Sequence, residues 1–255
     1  LGFFENEDDI TKFEWIRISM SLSLTEEHMR FFSNKLNWSY VLDYHTLSED
    51  FIREMAEKVT LDWENLSGNQ VLSEAFIRDY KDKVEWTIIS HTQKLSEEFI
   101  REFKDRVDWE HICFAQKLSE SFIREFQDVV SWDRIASKQV LSENFIREFI
   151  HLIDFNALSY KHNLSENFIR EFQDRLDWLE ISETENLSDE FIIEFKDRIN
   201  WDLLFYYKKT SFPIIRQFIS KTAYRKLEDF ETSHLTVSQK DKIKKLLDLK
   251  SMFNV

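Results

Sequence analysis

LSEEFIREFKDRVDWEHICFAQK, residues 95–117, is followed directly by LSESFIREFQDVVSWDRIASKQV, residues 118–140, and the two read as one phrase written twice. The opening leucine recurs at Leu24, Leu47, Leu72, Leu95, Leu118, Leu141, Leu164 and Leu187, spaced by 23 residues with a single step of 25. A tryptophan follows it by 14 residues at Trp38, Trp86, Trp109, Trp132, Trp178 and Trp201. Phe155 takes that place once, and a two-residue insertion at Thr60 and Leu61 displaces Trp63. A fixed period of this length marks an array of stacked repeats.

Within the phrase, Ser96 is a good helix N-cap, and Glu97 and Glu98 follow it where the helix dipole favours negative charge. Leu95, ahead of the cap, can pack on Ile100 as a hydrophobic staple. The apolar spacing predicts a first helix from Glu97 to Val107, with Phe99, Ile100, Phe103 and Val107 on one face. Asp108 then caps a shorter helix that turns Trp109 and Ile112 inward. Asn37, Asp62, Ser131, Asp154, Asp177 and Asn200 are the corresponding caps in other copies.

Composition agrees with this reading. Hydrophobic residues make up 42% of the 255, with 24 Phe and 8 Trp, too apolar a chain for intrinsic disorder despite a net charge of -14. Two Gly and one Pro leave little for hairpins or phosphate-cradling loops. The expected fold class is all-α, an α-solenoid of about nine to ten 23-residue two-helix repeats with a C-terminal helical cap. Residues 1–23 form a degenerate N-terminal repeat, 24–218 the solenoid and 219–255 the cap, in which Lys240–Met252 reads as a closing helix after a cap at Ser238. The weak N-terminal copy leaves end-to-end self-association open.

Aligned copies sort their columns by physical demand. The third residue after the tryptophan is always apolar, and the fourth is usually small, as in Ser67, Ser90, Cys113, Ala136, Ser159 and Ser182, which lets successive short helices approach closely. A row of arginines at 53, 78, 101, 124, 147 and 170 invites comparison with phosphate binding. Acidic columns beside it favour a structural ladder instead, through Arg to Asp pairs four residues on and Arg to Glu contacts between copies. The net negative charge also opposes nucleic acid as a partner. His45 and His162 occupy the column of Gln70, Gln93, Gln116 and Gln139, where hydrogen bonding within the stack is expected.

The positions that change most lie on the outward face of the short helix, the layer expected to line the inside of the solenoid curve. They include Tyr40, Tyr44, His91, His111, Phe114, Arg134, Tyr160, Lys161, Leu203, Tyr206 and Tyr207, the candidate partner-binding residues. Exposed aromatics with few folding duties suit a protein interface. Neither the seven histidines nor the carboxylates show metal-ligand spacing or a catalytic constellation, so no catalytic residue, metal or cofactor is expected. Cys113 is the only cysteine and reads as a buried apolar residue in a reducing, intracellular setting. No apolar run reaches a membrane-spanning length, and no secretory leader is apparent.

The phrase LSExFIREF followed by D-x-V-D-W resembles helical-repeat proteins of giant DNA viruses and some large phages, over about Leu24 to Phe218. That resemblance implies a viral origin, a place inside the host cell, in its cytoplasm, and a binding role. The resulting expectation is a non-enzymatic scaffold that binds a protein partner, such as a host defence or regulatory protein that it sequesters. Two alternatives are an acidic mimic of nucleic acid occupying a basic groove and a structural component of a virion or assembly.

Overall fold

The computed structural model describes residues 10–161, 164–183, 187–224 and 226–253. Among them the chain is helical, with no strand, and the helices follow the 23-residue period of an α-solenoid repeat. Two compact units divide the chain, Leu1–Ser131 and Trp132–Val255. The first holds α1 (Lys12–Ser19), α2 (Glu26–Phe31), α3 (Trp38–Tyr44), α4 (Glu49–Lys58), α5 (Trp63–Asn69), α6 (Glu74–Asp79), α7 (Trp86–Thr92), α8 (Glu97–Glu102), α9 (Trp109–Ala115) and α10 (Glu120–Glu125). The second holds α11 (Trp132–Lys138), α12 (Glu143–Glu148), α13 (Phe155–Lys161), α14 (Glu166–Glu171), α15 (Trp178–Glu183), α16 (Asp189–Glu194), α17 (Trp201–Tyr207), α18 (Phe212–Phe218) and α19 (Val237–Phe253). From α2 to α18, even-numbered helices open at the serine or threonine cap and odd-numbered ones at the tryptophan position. Within each unit, consecutive odd-numbered helices pack side by side.

The caps form as the sequence indicates. Ser96 Oγ accepts from the Phe99 N–H at 3.2 Å, and Ser48, Ser73, Ser119, Ser142, Ser165 and Ser188 repeat the bond. Each such cap is worth about 1 kcal/mol to its helix. It also places the following Phe and Ile inward, and Phe76, Phe99, Phe122, Phe145, Phe168 and Phe191 are fully buried. Tryptophan closes the core from the neighbouring copy: Trp86 lies 4.9 Å from Phe103 and 6.2 Å from Phe99, centroid to centroid. A helix pair this short cannot cover such a face alone, so the stacking supplies the core.

The even-numbered helices are shorter than the apolar spacing predicts. α8 stops at Glu102, and Phe103 turns out of it at φ -112° and ψ 27°. Arg106 and Val107 then both donate their N–H to the Phe103 carbonyl, and the Trp109 indole N–H takes the Lys104 carbonyl at 3.1 Å. That carbonyl is thereby engaged by the next helix rather than by a continuing turn, while Val107 still reaches the core. Where the insertion moves the tryptophan two residues downstream, α4 runs on for 10 residues to Lys58.

The closing helix differs in one detail from its sequence reading. Its cap is Thr236, whose Oγ1 accepts from the Gln239 N–H at 3.3 Å while Gln239 Oε1 accepts from the Thr236 N–H at 2.8 Å. α19 packs on α18 with Ile243 and Leu247 buried, and Lys250 Nζ donates to the Ile219 and Thr222 carbonyls.

Candidate interaction face

Most of the repeated polar residues are consumed by bonds between copies. Gln93 Nε2 donates to the Ser67 carbonyl at 2.9 Å and the Gln70 carbonyl at 2.8 Å, and its Oε1 accepts from the Leu72 N–H at 3.0 Å. Gln70 and Gln116 make the same three-point clasp. His45 fills the column at the start of the stack, where its Nε2 donates to the Ser19 carbonyl at 2.8 Å. Its counterpart His162 lies outside the described residues.

The small column also carries a bond that the sequence reading assigned only to close packing. Ser90 Oγ donates to the Trp86 carbonyl at 2.7 Å and accepts from the Asp108 N–H of the next copy at 2.9 Å. Ser67, Ser159 and Ser182 do likewise, and Cys113 Sγ accepts from the Ser131 N–H at 3.4 Å. Burial pushes the Cys113 thiol up to about 11, so it is held as a weakly bonding neutral group.

The arginine row is a ladder between copies, with one correction to its pairing. Arg101 Nε donates to Glu125 at 2.8 Å, and its guanidinium carbon sits 4.9 Å from the centre of the Phe122 ring. Arg30, Arg78, Arg147 and Arg170 repeat both contacts, and Arg53 does so with Asp79 and Phe76. Along their own helices, Arg78, Arg101, Arg147 and Arg170 reach the glutamate four residues before them, and Arg78, Arg101 and Arg170 do not pair with the aspartate four residues after. Asp82, Asp174 and Asp197 of that column pair instead with Arg106, Arg198 and Lys221 of the following copy. Guanidinium groups used twice over, on carboxylate and ring, are poorly placed to receive phosphate.

The outward side of the odd-numbered helices carries a different set of contacts. In the first unit, Tyr40 and Tyr44 share one turn of α3, with rings 6.5 Å apart and Tyr44 53% exposed. Asp43 beside them accepts from Asn65 Nδ2 at 2.6 Å and Asn69 Nδ2 at 2.8 Å, which adds α5 residues to the face that column variability alone did not single out. Two helices on, the exposed His91 ring stacks on Phe114 at 5.7 Å and meets His111 edge-on at 5.2 Å. Burial would raise the Asp108 carboxyl, but hydrogen bonds from His111 outweigh it and hold the group below its ordinary value.

In the second unit, Tyr206 and Tyr207 are 55% and 49% exposed with rings perpendicular at 4.8 Å, and Leu203 and Arg134 are half-buried. Tyr160 and Lys161 end α13, and their side chains lie outside the described residues. Burial, then Glu183 and Asp177, push Glu180 above its ordinary value. Among the described residues no group of three His, Cys, Asp or Glu side chains is placed to hold a metal ion, and no helix is long and apolar enough to cross a membrane. Within each unit the outward face offers rings, amides and carboxylates. In comparison with known proteins, no family model, no curated protein and no solved structure matches the chain.

Proposed function

We propose that this chain is a non-enzymatic repeat scaffold whose odd-numbered helices present their variable outward face to a protein partner. One observation carries the reading: the recurring polar columns are spent on bonds between copies, whereas Tyr44, Phe114, Tyr206 and Tyr207 remain exposed on helices whose inner sides recur from copy to copy. Exposed rings on a preorganised backbone lose little conformational entropy on binding. With the viral resemblance of the repeat phrase, the partner is a host defence or regulatory protein that the scaffold sequesters in the host cytoplasm.

The test is capture from a host lysate with the full chain, alongside Tyr44→Ala, Tyr206→Ala and a change on the even-numbered helices, Glu98→Gln. Loss of a specific partner with the tyrosine variants, and its retention by Glu98→Gln, is the expected result. Equal retention by all three would sink the reading. Neither tyrosine change should disturb folding, because exposed substitutions away from caps and cores stay within about 0.5 kcal/mol.

A further inference from the structure

Ser96 and Glu102 both lean on the copy before them: the Ser96 N–H donates to Glu74 at 2.6 Å, and Glu102 accepts from Arg78 Nε at 2.7 Å. Ser48, Ser119, Ser165 and Ser188 repeat the first bond. Helix α2 asks for neither group. The N–H of its cap, Thr25, donates to His28 Nδ1 at 3.3 Å within its own first turn, and Phe31 stands at the position of Glu102. What α2 leaves open is apolar. Phe31 is 72% exposed, its ring set edge-on against Phe32 at 4.8 Å. Between α1 and α2 lies a cavity of about 350 Å³ walled largely by Ile10, Trp15, Ile18, Leu24 and Phe32. Leu24 and Phe32 are half-buried there, whereas their counterparts Leu95 and Phe103 are buried.

The closing helix is open in a matching way. Its buried side carries Ile243 and Leu247, and at about 3.6 residues per turn the opposite side carries Asp241, Lys245, Leu249 and Met252. Lys245 is already paired with Asp241 at 2.8 Å, so that side offers chiefly Leu249 and Met252, which are 51% and 76% exposed. The two regions also differ in sign. Residues 1–32 sum to a net charge of -4 and α19 to +3, and exposed Glu14 and Glu27 directly precede the cavity residues Trp15 and His28 in sequence.

We propose that α19 of a second copy docks on α1 and α2, with Leu249 and Met252 seated in the cavity beside Phe31. The occupant needs no glutamate for a cap N–H and no arginine for a ladder, because α2 meets the first demand itself and has replaced the second with a ring. Apolar contact then holds the joint, and the opposite net charges favour the encounter. Pairing two cavities instead would bring like charges together. The joint is heterologous, so each added molecule brings one free cavity and one free helix. It is independent of the partner-binding reading above, since Tyr44, Tyr206 and Tyr207 take no part in it.

Sedimentation velocity of the full chain between about 1 and 100 µM tests the proposal, since a joint of a few apolar side chains sits in the micromolar range. The average mass should rise with concentration beyond that of a dimer. Phe31→Lys and Leu249→Lys should each weaken association by at least about 10-fold. Both changes suit their helices: the first sets a lysine four residues after Glu27, and the second adds a cation near a helix C-terminus. Val140→Lys makes the same kind of change at a site 94% exposed and should associate as the parent chain does. An equimolar mixture of Phe31→Lys and Leu249→Lys should form a dimer and nothing larger, because one intact helix then meets one intact cavity; that dimer also shows that both variants are folded. A parent chain that stays monomeric throughout overturns the proposal, as does a mixture that gives no dimer. Association lost with Phe31→Lys but kept by Leu249→Lys would assign the cavity to another occupant and overturn it equally.

Discussion

Between residues 70 and 116, neighbouring copies are clasped by glutamine, whereas at residue 208 the same column holds a lysine. Gln93 donates twice and accepts once, so it satisfies two carbonyls and the Leu72 N–H without carrying charge. Lys208 donates to the Leu187 carbonyl from a site only 6% exposed and has no acceptor to offer. Burial pushes its amine down to about 8, against the opposing pull of Asp189 and Glu166. One geometrical duty is therefore met cleanly within the first unit and at the expense of a desolvated cation near the chain's end. His45 stands at the other end as a third solution, a ring that donates to one carbonyl. The junctions at Gln70, Gln93 and Gln116 use a group that both gives and takes, and those at His45 and Lys208 use a donor.

The largest effect should come from breaking the interior clasp. Gln93→Leu keeps a side chain of similar size in the junction but leaves the Leu72 N–H and the Gln70 carbonyl without their partner, while the Ser67 carbonyl keeps the Thr92 hydroxyl donor at 3.1 Å. Buried groups stranded in this way cost roughly 2–4 kcal/mol in total. Repeat arrays do not always unfold in one step, so the sharper readout is hydrogen exchange at Leu72, which should accelerate more than exchange at amides of α4. Unchanged protection at Leu72 would mean that stacking of the rings, not the clasp, holds the junction.

A smaller effect, with a pH signature, is expected from giving the C-terminal junction the interior residue. Lys208→Gln should stabilise the second unit by about 1 kcal/mol at pH 7, since it removes a buried charge and supplies an acceptor. The native amine titrates near 8 and an unfolded lysine near about 10.4, so between those values the unfolded chain binds more protons. The lysine's contribution is then most favourable above the unfolded value and is lost as pH falls through about 8. The gap between Lys208→Gln and the parent chain should accordingly be widest at pH 7 and narrow by pH 10. A gap of constant size would show that the amine is not desolvated as its surroundings indicate.

Of these junction bonds, the sequence indicates hydrogen bonding in the glutamine column but neither its partners nor the serine relay. The 23-residue period, the Ser96 cap, the inward Phe99 and Ile100 and the apolar third position after tryptophan all follow from local pattern, because each is fixed by the periodicity of its own helix. The glutamine clasp and the serine relay are bonds from a side chain to the backbone of another copy. Nothing within one phrase distinguishes Ser90 as an acceptor from Ser90 as a small residue. The early end of α8 has the same origin, since the indole that takes the Lys104 carbonyl belongs to the next helix. On the outward face, column variability located Tyr44, His91 and Phe114, but their company was not legible. Asn65 and Asn69 join the face only through Asp43.

The smallest expected effect tests whether the relay, rather than residue size, governs the small column. Cys113 and Ser90 occupy equivalent places and both are fully buried, yet the acceptor distance is 3.4 Å to sulfur against 2.9 Å to oxygen. Sulfur is a poor acceptor, so the Ser131 N–H is held less firmly than the Asp108 N–H. Cys113→Ser is nearly isosteric and restores the hydroxyl found at Ser67 and Ser90. If hydrogen bonding decides, it should raise stability by about 0.5–1 kcal/mol and slow exchange at Ser131. If only volume and apolarity decide, burying a hydroxyl in place of a thiol should lower stability instead, and Cys113→Ala should be the better tolerated change. The sign of one substitution thus separates the two physical accounts of a column that reads, in sequence, simply as small.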